Sequence, residues 1–259
     1  MLPRALRKIP EICACSWIGA WGMIIGMTGI CASTVFAETE RPDFTGVWQS
    51  YRDAGGRARR RADGPRPSYT PEAQAKVDLY ERVTDGTNYT PGGYCVGTGM
   101  PGSMLGSGGY PMEIMQRPEQ INVTYEAHNE IRRIYFGDRV ADPEDVFPER
   151  NGYSIGRWEG DTLVVETDHL VEQVDQRYAH SAEAKIVERY TVATEADGRR
   201  VLTAVMTMTD PAFLAEPFTM EKKWQQVPNG RLLTYECTEP EWLDALERLM
   251  SEDNTGVEE

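Results

Sequence analysis

The chain has 259 residues, with 27 basic and 41 acidic side chains and a formal net charge of −14. Such an acidic chain repels phosphate backbones and has no basic aromatic groove, so nucleic acid is an unfavoured partner. Its five cysteines and three histidines lack CxxC or HxxxH spacing, which argues against a zinc site. We expect neither a metal nor a cofactor.

The first 37 residues have the pattern of a secretory signal. Three basic residues precede an apolar run over residues 12–36, and cleavage is predicted after Ala37. The mature chain, residues 38–259, is long enough for a single domain with a sizeable core. An uncut membrane anchor is the alternative, because the apolar run approaches the length of a span. We expect a periplasmic or secreted protein with no stable membrane insertion after cleavage.

Removal of the signal leaves two cysteines, Cys95 and Cys237. An even pair in an oxidising compartment predicts one disulfide. It would close a loop of about 140 residues and stabilise the fold by about 4–5 kcal/mol on the chain-entropy model. Two free buried thiols are the alternative.

The mature chain begins with a predicted strand, Phe44–Tyr51, followed by a long Arg-, Gly- and Pro-rich loop over residues 52–68. Thr70 is suited to cap a helix that has Pro71 at its first position and ends near Val83.

A second long loop, residues 84–111, is rich in glycine. A Gly-rich stretch can bind phosphate, but no GK[ST] follows and no strand–loop–helix frame surrounds it. We interpret it as a loop that is fixed at Cys95 and lies across a barrel mouth.

Short alternating segments fill the chain from residue 112 to residue 237. They are MEIMQ, QINVTYEA, IRRIYFG, the hairpin YSIGRWEGDTLVVET, AKIVERYTVATE, RVLTAVMTMT, FTMEKKWQQV and RLLTYEC. Nine or ten such strands predict an all-β fold, an antiparallel up-and-down barrel. Pro240 begins a last helix whose apolar face should pack on the barrel wall.

The segment GRWEGDTLVVET, residues 156–167, predicts a hairpin with a two-residue turn that ends at Asp161. The uncharged face of this hairpin should point inward. Its members are Ser154, Gly156, Trp158, Leu163, Val165 and Thr167. The small side chains among them leave room for a ligand cavity beneath Trp158.

The next hairpin turns at Asp197. A two-residue turn there places Arg189 on one face with Met206 and Met208, and Glu188 on the other. Neighbouring residues of a strand point to opposite faces, so a closed barrel must enclose one of the two charges. The apolar set beside Arg189 is the more continuous, so we predict that Arg189 points inward and has a carboxylate or ligand partner.

His180 is the candidate proton carrier, because the pKa of histidine lies near working pH. Asp161, Glu188 and Tyr153 are the candidates to assist it. No acid stands at a spacing that forces a Ser-His-acid triad. A structural or surface role for His180 is the alternative.

Gly46-x-Trp48 in the first strand, the alternating strands and the C-terminal amphipathic helix resemble the calycin superfamily, which includes the lipocalins. The resemblance implies an up-and-down barrel around an apolar ligand, with the tryptophan closing its base and Arg231 as the candidate arginine above the ring. The segments PDFTGVW, EIMQRPEQINVTYE, RRIYFGDR, YSIGRWEGDTLVVET, AHSAEAKIVERY and DPAFLAEPF also resemble a family of secreted bacterial proteins of unassigned function. That second resemblance implies a fold and a compartment and no reaction.

These patterns favour a periplasmic or secreted protein that binds a small, largely apolar or amphipathic molecule inside a barrel. The predicted ligand-binding residues are Trp158, Gly156, Leu163, Arg189, Met206, Met208, Phe218 and Trp224. One alternative is a cofactor-independent lyase, hydratase or isomerase that uses the same cavity with His180. Another is an envelope structural protein whose acidic surface meets a partner.

Overall fold

A computed structural model describes residues 41–53, 64–87, 90–106, 109–238, 243, 246 and 247. The predicted signal, residues 1–37, lies outside these residues, and so does almost all of the helix predicted to begin at Pro240. The described residues belong to one compact unit. None of the helices in the described ranges combines the length and the apolar character needed to cross a membrane.

The described residues contain nine strands that close into a barrel in chain order. They are β1 (Gly46–Ser50), β2 (Met112–Arg117), β3 (Gln120–Tyr125), β4 (Glu130–Tyr135), β5 (Tyr153–Glu159), β6 (Thr162–Asp168), β7 (Lys185–Thr194), β8 (Arg200–Thr209) and β9 (Phe218–Val227). β1 pairs with both β2 and β9, which closes the sheet. The predicted barrel of mostly β structure is confirmed.

One strand pair departs from the prediction of a wholly antiparallel barrel. β4 and β5 run parallel, with Ile134 beside Ser154 and Tyr135 beside Ile155. Parallel neighbours need a long connection, because the chain must return to the same end of the sheet. Residues 136–152, which were expected to be a loop between hairpins, provide that return.

The prediction of a last strand, RLLTYEC, is wrong. Residues 231–237 are not in a strand, because β9 already pairs with β1 and the barrel leaves no edge for another strand. Hydrogen bonds from outside the sheet hold the segment instead. The Leu233 N–H donates to Glu126 Oε2 at 2.7 Å, and Asn129 Nδ2 donates to the Tyr235 carbonyl at 2.9 Å.

At one end of the barrel, which we call the turn end, short turns join β2 to β3, β5 to β6 and β7 to β8. Aromatic rings pack there. The indole Nε1 of the fully buried Trp48 donates to the Phe44 carbonyl at 2.8 Å, and the Phe44 ring lies 5.6 Å from that of Trp158. The Arg200 guanidinium carbon is 5.8 Å from the Trp48 ring centre. The arginine over the tryptophan is therefore Arg200 and not Arg231.

At the opposite end, the cap end, residues 97–105 lie over the barrel interior, and we call them the cap. They contain most of the short helix α2 (Gly102–Gly106). The side chains of Met100, Met104 and Leu105 belong to the same buried cluster as the barrel wall. The predicted disulfide between Cys95 and Cys237 is present, with Cα atoms 5.5 Å apart.

Outside the barrel lies α1 (Pro71–Thr84). Thr70 Oγ1 accepts a hydrogen bond from the Ala73 N–H at 3.3 Å, which caps the first turn. Ala73 is buried in a small cluster with Ala179 and Phe213, and this cluster attaches the helix to the loops of the cap end.

The two central hairpins differ in how far their register follows the prediction. In β5–β6, Trp158 pairs with Leu163 and Gly156 with Val165, as predicted. In β7–β8 the Glu195 N–H donates to the Arg199 carbonyl, so the turn has three residues rather than two.

Gly198 sits in this three-residue turn at a φ of +85°, a conformation that favours glycine. The extra turn residue shifts the pairing by one position, and a shift of one exchanges the faces of one strand relative to the other. Glu188 therefore pairs with Met206 on the inner face, and Arg189 points outward.

Candidate functional site

A buried ion pair lies inside the barrel towards the cap end. Arg132 of β4 and Glu188 of β7 are 1% and 0% exposed. Arg132 Nη1 donates to Glu188 Oε1 at 3.0 Å, and Nη2 donates to Oε2. Two parallel charge-assisted bonds of this kind fix both the position and the orientation of the two groups.

The guanidinium of Arg132 also fills the space that the small residues of the β5–β6 hairpin leave. Its Nε donates to Ser154 Oγ at 3.0 Å, and Nη2 donates to Thr167 Oγ1 at 2.7 Å. The two hydroxyl oxygens are themselves 2.9 Å apart. The small inner residues of the hairpin therefore hold an arginine, where the sequence predicted a ligand cavity.

Two tyrosines complete this polar network. The Tyr190 hydroxyl donates to Glu188 Oε1 at 2.8 Å, and the buried Tyr125 lies beside Arg132. Burial raises the pKa of both tyrosines well above its ordinary value. Burial lowers the pKa of Arg132, but the Glu188 carboxylate more than offsets this and raises it. At neutral pH the arginine is charged and both phenols are neutral.

Met104 of the cap reaches this network from above. Its Sδ lies 3.1 Å from the Tyr190 hydroxyl oxygen. Most of the predicted lining residues belong to the buried cluster that includes Met104. They are Leu163, Met206, Met208, Phe218 and Trp224. Trp158 is half-buried and packs against that cluster at the turn end.

Gly156 does not lie over a cavity, contrary to the prediction. A Cβ atom at this position would be 2.5 Å from Phe136 Cζ and 2.9 Å from Ile134 Cγ2. The glycine lets the phenylalanine ring approach the backbone of β5, so the space is already filled.

Arg189 does not point into the barrel, contrary to the prediction. It is 48% exposed, and its Nη2 lies 2.6 Å from Glu159 Oε2 on the outer surface. The prediction that Arg189 is the enclosed charge of this strand is therefore wrong. The neighbouring residue, Glu188, places its carboxylate inside the barrel.

His180 is completely buried in the loop before β7. Its Nδ1 lies 3.1 Å from the Tyr178 carbonyl, to which it must donate, and its Nε2 has no hydrogen-bond partner within the described ranges. Burial lowers the pKa of the imidazole, so His180 is neutral. Ser181 turns away and donates from Oγ to Asp210 Oδ1 at 2.8 Å.

The other acid–base candidates lie apart from His180. Asp161 is exposed in the β5–β6 turn. Tyr153 belongs to the outer face, where its ring stacks on Tyr135 and its hydroxyl accepts the Ala141 N–H at 2.6 Å. Only Glu188 lies in the barrel interior. The four residues do not form one catalytic arrangement.

The cap is held to the barrel by the carboxylate of Glu130, at the start of β4. Glu130 accepts the backbone N–H groups of Thr98 at 3.1 Å and Gly99 at 2.9 Å, and the Ser103 hydroxyl at 3.0 Å. From the other side, Gln173 Nε2 donates to the Thr98 carbonyl at 2.8 Å. These bonds position Met104 above Tyr190.

Sequence reasoning missed Arg132, the centre of the network. In the β4 segment EIRRIY each face carries one isoleucine and one arginine, so alternation does not say which face is buried. A usable signal was present on the neighbouring hairpin. Ser154 and Thr167 are paired polar residues on an inner face, and a buried hydroxyl pair requires a polar partner.

No group of three or more His, Cys, Asp or Glu side chains in the described part of the chain is arranged to hold a metal ion. No family model, curated protein or solved structure matches the chain.

Proposed function

We propose that the protein is an exported, calycin-like binding protein that holds a small, largely apolar molecule with one polar group at the cap end of the barrel. The observation that carries the proposal is the buried ion pair of Arg132 and Glu188 beneath Met104. An apolar pair of similar volume is often as stable as a buried ion pair or more stable. A buried ion pair is therefore weak evidence of a role in stability, which supports a binding role for these charges.

Met104 occupies the place that the ligand takes. A thioether can only accept a hydrogen bond, weakly, and the Tyr190 O–H is already donated to Glu188, so Met104 leaves the accepting capacity of the Tyr190 oxygen unused; a methionine side chain also has three rotatable bonds. A ligand that offers a stronger partner to Tyr190 therefore displaces the Met104 side chain at small cost. The apolar body of the ligand then packs against Met206 and Leu163.

The network also defines the polar group of the ligand. Arg132 directs its donors to Glu188, Ser154 and Thr167, and the single O–H of Tyr190 goes to Glu188. With these donors used, the Tyr190 oxygen and the Glu188 carboxylate can still accept hydrogen bonds. The ligand therefore carries a donor, such as a hydroxyl group.

The turn end supports the calycin-like part of the proposal. Trp48 of the GxW element is buried there beneath Arg200, as expected for the closed base of such a barrel. The disulfide between Cys95 and Cys237 supports an oxidising compartment, periplasmic or extracellular. Because His180 lies apart from Glu188, the arrangement supports binding rather than acid–base catalysis.

The proposal is tested with 2-naphthol and naphthalene, which share an apolar body and differ by one hydroxyl. The mature chain is expected to bind 2-naphthol at least about tenfold more tightly, measured by equilibrium dialysis. Tyr190→Phe removes the accepting oxygen and should weaken 2-naphthol binding while leaving naphthalene binding unchanged. Tyr135→Phe, on the outer face, is the matched control. Absence of binding to both probes, or an equal effect of the two variants, would contradict the proposal.

A further inference from the structure

A second cleft lies outside the barrel, between α1 and residues 174–177. Its volume is about 230 Å³. Tyr69, Val77, Tyr80 and Val174 contribute the apolar part of its wall, and polar side chains contribute the larger part. This volume lies below the usual range for pockets that bind drug-sized ligands, so only a small molecule would fit.

Arg177 lines this cleft with donors that are only partly used. Its Nη2 donates to the Gly64 carbonyl at 2.8 Å. Its Nε is buried and has no hydrogen-bond partner within the described ranges. Arg66 also lines the cleft, and neither arginine forms an ion pair with any residue that the structure describes. A buried N–H without an acceptor costs free energy, which a bound acceptor would recover.

The carboxylates near the cleft do not neutralise these arginines. Asp175 is paired with Arg150, with Nη2 and Oδ2 3.0 Å apart. Glu81 is exposed on α1 and pairs with neither arginine of the cleft. The two acids at the rim nevertheless make the cleft less favourable for a doubly charged anion than for a singly charged one.

The backbone that carries Arg177 is fixed in place. The Tyr69 hydroxyl donates to the Arg177 carbonyl at 3.2 Å and accepts the Ala179 N–H at 2.9 Å. The same tyrosine ring lines the cleft. One side chain therefore orients the cation and supplies apolar surface beside it, which lowers the entropy cost of binding.

We propose that this cleft binds a small organic monoanion, a carboxylate on an aromatic or apolar body. The planar fork of a guanidinium matches a carboxylate, which would accept from the Arg177 side chain while its ring packs between Tyr69 and Tyr80. The site is separate from the barrel interior, so it stands or falls independently of the proposed function.

The test compares benzoate with benzamide, which have the same ring and differ in charge. Each is titrated into the mature chain at constant ionic strength, with the binding followed by calorimetry. Benzoate is expected to bind at least about tenfold more tightly than benzamide. Equal affinities would overturn the proposal.

Substitutions of the cleft arginines test whether benzoate binds in this cleft. Arg177→Met should abolish the preference for benzoate, and Arg66→Met should reduce it. Arg133→Met, which removes an exposed arginine from the outer face of β4, is the matched control and should keep it. If Arg177→Met does not fold, the Arg66→Met variant decides. A benzoate preference that survives the substitution tested would overturn the proposal.

Discussion

The two ends of this barrel are built from opposite kinds of interaction. At the turn end, Trp48, Phe44 and Trp158 pack together, and the indole N–H has a carbonyl partner. At the cap end, the carboxylate of Glu130 holds a short segment above a buried ion pair. The first arrangement gains free energy from every group that it buries, whereas the second buries groups that prefer water.

If the proposed function holds, this difference separates the groups that stabilise the barrel from those that bind the ligand within one sheet. A barrel closed by aromatic rings at one end can tolerate costly polar groups at the other, because its net stability comes from the sum over the whole core. At the cap end, substitutions that remove both buried charges together should therefore keep or improve stability and remove binding. The turn end should respond to substitutions only with loss of stability.

The disulfide gives the largest expected effect, and it belongs to the cap end. Cys95 precedes the cap, and the bond joins it to Cys237, 142 residues away. The variant Cys95→Ala/Cys237→Ala should lose about 4–5 kcal/mol of unfolding free energy on the chain-entropy model, and its Tm should fall by roughly 10–15 °C. Urea titration measures the difference. A loss of unfolding free energy below about 1 kcal/mol would mean that the stability of the cap end does not depend on this disulfide.

Breaking the Arg132–Glu188 ion pair gives the next largest expected change in stability. Arg132→Met leaves the Glu188 carboxylate buried without its partner and should cost about 3–5 kcal/mol. The double variant Arg132→Met/Glu188→Met should recover that loss or become more stable than the wild type, because no charge then remains buried. Arg189→Met on the exposed neighbouring position is the control and should change stability little. If the double variant is as unstable as the single one, the buried charges stabilise the barrel, and the proposed contrast between the two ends is wrong.

Gly156 tests the packing on the turn-end side of the barrel. Gly156→Ala places a methyl group against the Phe136 ring and should destabilise by about 1–3 kcal/mol through overpacking. Adding Phe136→Leu should restore part of the loss, since it removes the ring atoms that the methyl group meets. If Gly156→Ala has no effect on the urea midpoint, the space beside Phe136 is open.

His180 gives the smallest effect, a dependence of stability on pH. Burial lowers its pKa in the folded chain, whereas in the unfolded chain it binds a proton below about pH 6.5. The unfolded state therefore binds more protons, and stability is lost as the pH falls below about 6.5 towards the folded pKa. His180→Asn, which keeps a donor for the Tyr178 carbonyl, should lose less stability than the wild type over this range. Parallel stability curves for the two proteins would contradict this.

The two hairpins show how much of the barrel interior could be predicted from the sequence. The β5–β6 register was predictable because a two-residue turn fixes which residues face each other. The β7–β8 register was not, because Asp197-Gly198 fits both a two-residue turn and the last two positions of a three-residue turn. One residue of slip was enough to exchange Glu188 and Arg189.

The candidate site was less predictable than the fold. Arg132 lies on a strand whose two faces each carry one isoleucine and one arginine, and its partner Glu188 is 56 residues away. Only the closure of the barrel brings them together. The same holds for Glu130 and the cap, where a turn-like glycine segment gives no indication of the carboxylate that binds it.

The claim that the polar network serves binding rather than stability is tested most directly by one triple variant, Arg132→Met/Glu188→Met/Tyr190→Phe. The measurement is the ratio of the dissociation constants for naphthalene and 2-naphthol in the wild type and in this variant. We expect a ratio of at least about ten in the wild type and near one in a triple variant that remains folded and equally stable. A ratio that is the same in both proteins would contradict the claim.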